Sequence, residues 1–262
     1  MYPDPLFYFF GVPIYFYVIA YGVGFPLAII LAVILNRERG SIPLNDLVAA
    51  SVVCIAADLA LTPAVVWVIA RLGFAVPLNW SIGQIIAVFV AGAIYHILRR
   101  KRVPVTFSER LDILAPPVIF FIAILRLACL AAGCCYGIPA PGLPWTITFT
   151  NPHAVSIYKN IPVHPTQLYE SVGAMAILGI VWALRHRAMW QGNLMWLALF
   201  LYAGIRFVIE FFRGDPRPMV EILSFVFSVN QLACVALAVA CGSLLVRKLT
   251  RRSAMVGLEA GT

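Results

Sequence analysis

Charge is what this chain is short of. Only 11% of its 262 residues are Asp, Glu, Lys or Arg, against about 25% in ordinary soluble domains, and 62% are hydrophobic. A soluble body of this size cannot be clothed with so little polar surface. Acids are the scarcest, at eleven against nineteen Lys and Arg. Internal repeats and low-complexity linkers are also missing, which counts against a tethered second domain and against the matched halves of many transporters. Paired CxxC units and a HxxxH spacing are absent, so the common zinc patterns are not there. The start, "MYPDPLFYFFGVPIYFYVIAYGVGF", has neither a basic n-region nor a small-residue cleavage site, and is expected to be a retained span rather than a signal peptide.

Long apolar runs are what the sequence has instead. Stretches at roughly 12–35, 46–70, 80–98, 112–132, 165–184, 193–212 and 224–246 are each long enough to cross a hydrocarbon core about 30 Å thick as a helix. The expected fold is therefore an all-α membrane protein, one polytopic domain over 1–262 with a bundle of about seven transmembrane helices. Basic residues fall unevenly on the connections. Thirteen lie on one side, among them Arg37, Arg39, Arg99 to Arg102 and Arg247, whereas Arg71, Lys159, Arg213 and Arg217 lie on the other. By the positive-inside rule the crowded side is cytoplasmic, so the N-terminus is expected outside and the basic tail, 247–262, inside. The formal charge of +8 is thus a topology signal, and nucleic acid is not an expected partner.

The main interruption is 133–164, "GCCYGIPAPGLPWTITFTNPHAVSIYKNIPVH", too rich in Pro and Gly to continue a helix. "WTITFT" alternates in the period of a half-buried strand, which predicts an ordered, outward-facing cap. The next span opens with "HPTQLYE". Pro165 suits a first helical position, and His164, Gln167 and Glu170 gather at that helix mouth.

Two arginines need a reason to be where they are. Arg126 and Arg206 lie inside spans, where an Arg costs about 2.5–3.5 kcal/mol on insertion scales and must face protein or a polar cavity. At 100° per residue Tyr202, Arg206, Glu210 and Arg213 fall within an arc of about 80° on one helix. One explanation is a structural ion pair between Arg206 and Glu210. Arg126 has no acid within a helical turn, which favours the other explanation, an anionic ligand. A phosphodiester matches the donor fork of Arg, and in a membrane the abundant phosphodiester is a phospholipid. Cys129, Cys134 and Cys135 are read as packing and turn residues, with no metal and no cofactor assigned.

"RLACLAAGCCYG", "HPTQLYES" and "LYAGIRFVIEFFRGDP", in this order and spacing, resemble the successive signatures of bacterial prolipoprotein diacylglyceryl transferases. The resemblance runs from about Tyr17 to the last span. It implies an enzyme of the bacterial inner membrane that transfers the diacylglyceryl group of phosphatidylglycerol to the lipobox cysteine thiol of a prolipoprotein signal peptide. It also implies catalytic roles for Arg126 and Arg206, with substrate-binding roles for Tyr17, Gly137, Gln167, Tyr202, Glu210 and Arg213. Two departures stand out. Family members commonly carry "HGG" where this chain reads "LNWSIGQ", so the usual thiol-proton acceptor is missing near Asn79–Gln84. His164, Glu170 or a thiol made acidic by a nearby Arg are the candidates to replace it. Ala128, Cys129, Ala132 and Cys134 also stand where the family pattern has Gly, Asn, Asn and Glu. A paralogue with another acceptor, or a membrane binder or transporter of anionic lipid, is the alternative.

Overall fold

A computed structural model describes residues 4–9, 12–39, 42–71, 80–222 and 224–259. Among them the chain forms seven α-helices in the expected order: α1 (Phe16–Arg39), α2 (Leu44–Arg71), α3 (Trp80–Arg99), α4 (Phe107–Ala132), α5 (Thr166–Leu184), α6 (Leu194–Glu210) and α7 (Val229–Glu259). Phe16–Glu38, Phe107–Ala132, Thr166–Leu184 and Val229–Thr250 are each long and apolar enough to cross a membrane. The protein is an all-α membrane protein. Asn79 lies outside the described residues, as do the side chains of 80–84 and residues 260–262 of the basic tail.

Several boundaries differ from the expected spans, for reasons visible in the backbone. α1 starts four residues after the expected position 12 because β2 (Val12–Ile14) pairs antiparallel with β1 (Phe7–Phe9). α7 starts at Val229 rather than 224 because β5 (Met219–Ile222) and β6 (Phe225–Ser228) form a hairpin turned at Ser224, whose φ is 69°. Pro165 is the residue before α5 rather than its first residue. Its ψ of 65° is not helical, yet its carbonyl accepts from the amides of Leu168 at 2.9 Å and Tyr169 at 3.1 Å and so begins the ladder. Arg213 does not share the face of Tyr202, Arg206 and Glu210. α6 ends at Glu210, and the backbone beyond it leaves the helix to pair with the cap, Gly137 bridging Arg213.

The chain divides into two compact units. One comprises 29–113 and the other 1–28 with 114–262. Within the first, α2 packs on α3. Asp46, fully buried near the start of α2, accepts from the Tyr95 hydroxyl at 2.8 Å, Arg99 Nε at 2.8 Å and Arg110 Nη1 at 2.5 Å. Two of the basic residues that read as topology signals are therefore also structural. Thr106 and Glu109 close a capping box at the start of α4, the Thr106 amide donating to Glu109 at 2.7 Å and the Glu109 amide to the Thr106 hydroxyl at 3.2 Å.

The second unit carries the features singled out in the sequence. α6 packs on both α5 and α7. Gly173 permits the α5 contact, since a Cβ there would lie 2.8 Å from Cγ2 of Ile205. Residues 133–164 fold over a small core of Tyr136, Phe149, Ala154 and Val163, tied by β3 (Ile147–Thr148) against β4 (Pro162–Val163). Between α5 and α6 runs an apolar groove of about 630 Å³, lined by Leu168, Val172, Ile205 and Val208, with Tyr169 and Phe212 also on its wall.

Candidate active site

The two arginines that stand within apolar runs meet on one carboxylate. Arg126 comes from α4, Arg206 from α6, and Glu170 from the first turns of α5. Arg126 Nη2 lies 2.8 Å from Oε1 of Glu170, and Arg206 Nε lies 3.7 Å from the same oxygen. The Tyr202 hydroxyl donates to it as well, at 2.5 Å. Tyr202 and Arg206 are one turn apart on α6, which is why a single oxygen receives both. Glu170 is 2% exposed, so the acid that Arg126 lacks along its own helix is supplied across the bundle.

A second carboxylate continues the network. Arg206 Nη1 is 2.5 Å from Oε2 of Glu210, the ion pair expected as the structural alternative. Oε1 of Glu210 accepts from the Ser228 hydroxyl at 2.9 Å and the Asn230 amide at 3.1 Å, and lies 3.3 Å from Arg217 Nε. Arg213 is held by Asp215, through Nε at 2.6 Å and through Nη2. Asp215 is also 3.7 Å from Arg217. This network sets four arginines, Arg126, Arg206, Arg213 and Arg217, against three carboxylates, Glu170, Glu210 and Asp215. One positive charge is left over. Arg217, Asp215, Ser228 and Asn230 escaped the sequence reading. Their only signal was polarity, in "GDPR" and "SVNQ", immediately before an apolar run.

The first turn of α5 fastens the cap to this floor. Thr166 donates its hydroxyl to the Cys135 carbonyl at 2.6 Å, and Gln167 Nε2 donates to the Cys134 carbonyl at 2.6 Å. These bonds hold a turn in which Gly133 and Cys135 both have positive φ, 71° and 57°. Gln167 Oε1 is buried and, among the described residues, has no hydrogen-bond partner. Gly137 lies where no side chain fits: its amide donates to the His164 carbonyl at 3.1 Å, and a Cβ would stand 2.4 Å from that oxygen and 2.9 Å from the Phe212 carbonyl. His164 faces elsewhere than the arginines' carboxylate. Its Nδ1 lies 3.0 Å from the Tyr169 hydroxyl and its ring 5.1 Å from that of Phe212, beside the α5–α6 groove.

Tyr17 brings α1 to the same place. Its hydroxyl donates to Sγ of Cys129 at 3.1 Å and lies 3.0 Å from Sγ of Cys134. The sulfurs of Cys129, Cys134 and Cys135 all fall within 4.8 Å of one another. Arg126 Nη1 approaches Cys129 and Cys135 at 3.9 and 3.8 Å. Hydrogen bonds from Cys129 and Cys134, with Arg213 and Arg126 nearby, hold the Cys135 thiol well below the ordinary thiol range. Cys134 is pushed the other way by its hydrogen bonds with the two neighbours and by burial.

The chain matches the family model described as prolipoprotein diacylglyceryl transferase over residues 5–247. It is similar to the phosphatidylglycerol–prolipoprotein diacylglyceryl transferase of Clostridium tetani, 36% identical over 52% of this chain and 53% of that protein. The enzyme of the same name from Geobacter sulfurreducens is 32% identical over 57% and 54%, and that from Rhodospirillum rubrum 27% identical over 71% and 66%. The chain thus spans about half the length of the first two. The family-model match covers most of the chain, and the chain belongs to the prolipoprotein diacylglyceryl transferase family.

Proposed function

We propose that this protein transfers the diacylglyceryl group of phosphatidylglycerol to the lipobox cysteine thiol of a prolipoprotein signal peptide. The observation that carries this is the convergence of two guanidinium groups, those of Arg126 and Arg206, on one oxygen of Glu170. A phosphodiester bears one negative charge and offers planar pairs of oxygens that the guanidinium fork can hold. Arg126 and Arg206 clamp the phosphate, Glu170 and Glu210 orient them, and Tyr202 fixes Glu170. In the transfer step the acceptor sulfur attacks the glyceryl carbon, a C–S bond forms, and the C–O bond to phosphate breaks. The electron pair departs on glycerol phosphate. Charge grows on the leaving phosphate, where pre-positioned cations in a low-dielectric site stabilise it most.

His164 rather than Glu170 is assigned as acceptor of the thiol proton, because Glu170 is engaged by Tyr202 and both arginines. The α5–α6 groove beside His164 suits an acyl chain or an apolar signal-peptide segment, so both substrates enter laterally from the membrane. Gly137, Gln167, Tyr17 and Arg213 shape the floor of the cap over them. The site then faces the outer leaflet of the bacterial inner membrane, with the N-terminus outside and the C-terminal tail cytoplasmic.

The test is to incubate the purified protein with phosphatidylglycerol and a lipobox-cysteine peptide and to follow peptide mass. A diacylglyceryl increase is expected, with glycerol phosphate released in equal amount. No product under conditions in which a Clostridium tetani relative works would overturn the transfer. Hydrolysis or exchange of the lipid without peptide modification would instead support a different acceptor.

A further inference from the structure

We infer that Cys129, Cys134 and Cys135 form a zinc site whose fourth position takes the acceptor cysteine thiol. The inference rests on the transfer reaction proposed above and goes against the metal-free expectation from sequence spacing. Zinc patterns are recognised in sequence by paired short spacings, and this one is not of that kind. One ligand comes from the last turns of α4 and two from the turn after it.

The geometry suits the ion. Three sulfurs around tetrahedral zinc at about 2.3 Å lie roughly 3.8 Å apart. Here they already lie within 4.8 Å of one another, so small side-chain rotations bring them to coordination distance. The turn that presents two of them is held in place beforehand. Cys135 keeps a positive φ of 57°, a conformation that non-glycine residues adopt only when fixed from outside, and Thr166 and Gln167 fix it through the Cys135 and Cys134 carbonyls. All three cysteines are free thiols. Adjacent Cys134 and Cys135 are badly placed to bridge each other, and a disulfide from Cys129 to either would strand the third.

The electrostatics suit it too. Zn²⁺ with three thiolates keeps a single negative charge. Arg126 Nη1 stands 3.9 and 3.8 Å from two of the sulfurs, and the Tyr17 hydroxyl donates to a third interaction at 3.1 Å, on Cys129. Neighbours of this sort offset the negative charge of coordinated sulfurs. Two of the three cysteines, Cys129 and Cys134, occupy positions where the family pattern has Asn and Glu.

The site also answers the missing histidine. Zinc with three protein ligands and one open position is the catalytic arrangement, and a thiol that coordinates zinc loses its proton outright. Binding of the acceptor cysteine replaces its S–H bond by S–Zn, and the proton leaves to solvent water. The zinc-held sulfur then attacks the glyceryl carbon beside Arg126. No oxidant or reductant enters.

The experiment uses the full chain in detergent, reduced, stripped of metal and titrated with Co²⁺, then with Zn²⁺. About one cobalt per chain is expected, with sulfur-to-cobalt charge transfer in the near ultraviolet and the visible bands of tetrahedral geometry. A lipobox-cysteine peptide should raise the charge-transfer band by one further sulfur, and the serine version of the peptide should not. Cys129→Ser, Cys134→Ser and Cys135→Ser should each abolish or distort the spectrum, whereas Cys54→Ser and Cys241→Ser keep it. For any variant that does not fold, thiol alkylation of the wild type gives the same answer: zinc should protect Cys129, Cys134 and Cys135 and leave the other thiols reactive. Absence of stoichiometric cobalt, equal protection of all thiols, or recovery of a Cys129 disulfide from reduced and metal-loaded protein would overturn the site. A protein that forms the lipidated peptide at full rate after metal stripping would overturn its role in transfer while leaving the proposed reaction intact. One that binds cobalt with three sulfurs but never modifies the peptide would sink the reaction and leave the metal site.

Discussion

Glu170 does the most at the scale of single residues, because one of its oxygens meets Arg126, Arg206 and Tyr202 within 2.5–3.7 Å. Removing one partner of a buried ion pair costs about 3–5 kcal/mol, since the other charge stays buried without compensation. Glu170→Gln is therefore expected to lower the unfolding temperature in detergent and to abolish transfer, with both read on the same preparation. Gly137 is constrained differently. A Cβ there meets two carbonyl oxygens of the backbone, at 2.4 and 2.9 Å, and backbone cannot swing aside as a side-chain tip can. Gly137→Ala is expected to cost about 1–3 kcal/mol as an overpacking change. At Gly142, where a Cβ would meet nothing within 4 Å, the same substitution should be close to neutral, so paired thermal melts give the comparison. That Arg126 and Arg206 must find partners was legible in the sequence, because an arginine in an apolar run demands an explanation. Their partners were only half legible. Glu210 sits one turn from Arg206, but Glu170 reaches Arg126 through the packing of α5 beside α4, which no local spacing encodes.

Helices were read from apolar length and their ends were not, and the errors share a cause. At α1 and α7 the apolar run begins in a short hairpin before the helix does, and the same residues satisfy either pattern until the backbone chooses a partner. At α6 the helical periodicity reaches Arg213 on paper, yet Gly214 donates its amide to the Tyr136 carbonyl at 2.9 Å and Ile138 to the Phe212 carbonyl at 2.9 Å, so the chain pairs with the cap instead. Asp46 was missed for a related reason. It looks like an ordinary acid in the first turn of α2, and only the return of α3 and α4 brings Tyr95, Arg99 and Arg110 to it. Because Arg110 is 3% exposed, Asp46→Ala should strand its charge and cost about 3–5 kcal/mol. Thermal unfolding of that variant, with retention of transfer in the fraction that remains folded, separates a structural role from a catalytic one.

Scarcity of charge made the membrane class legible across the whole molecule, and the crowding of Lys and Arg on alternate connections gives it a direction. The proposed orientation is tested with single cysteines introduced into a background lacking reactive thiols and probed by a membrane-impermeant reagent in intact cells. A cysteine at Gly142 in the cap should be labelled from outside, and one at Ser253 in the basic tail only after the membrane is opened. Labelling in the reverse order would invert the site relative to its substrates. The three cysteines of the sulfur cluster read as packing and turn residues for want of a metal-ligand spacing, because Cys129 lies within a helix and its approach to Cys134 and Cys135 depends on the turn that α5 holds.

The central claim is that the guanidinium fork, and not positive charge alone, grips the phosphate. It is tested most directly by the rate of diacylglyceryl transfer from phosphatidylglycerol in Arg206→Lys against the wild type, on preparations with matching unfolding temperatures. Lysine keeps the charge but loses the paired hydrogen bonds, so a fall of at least about tenfold is expected, corresponding to about 1.4 kcal/mol or more of transition-state stabilisation. An Arg206→Lys protein that transfers at the wild-type rate would contradict the account.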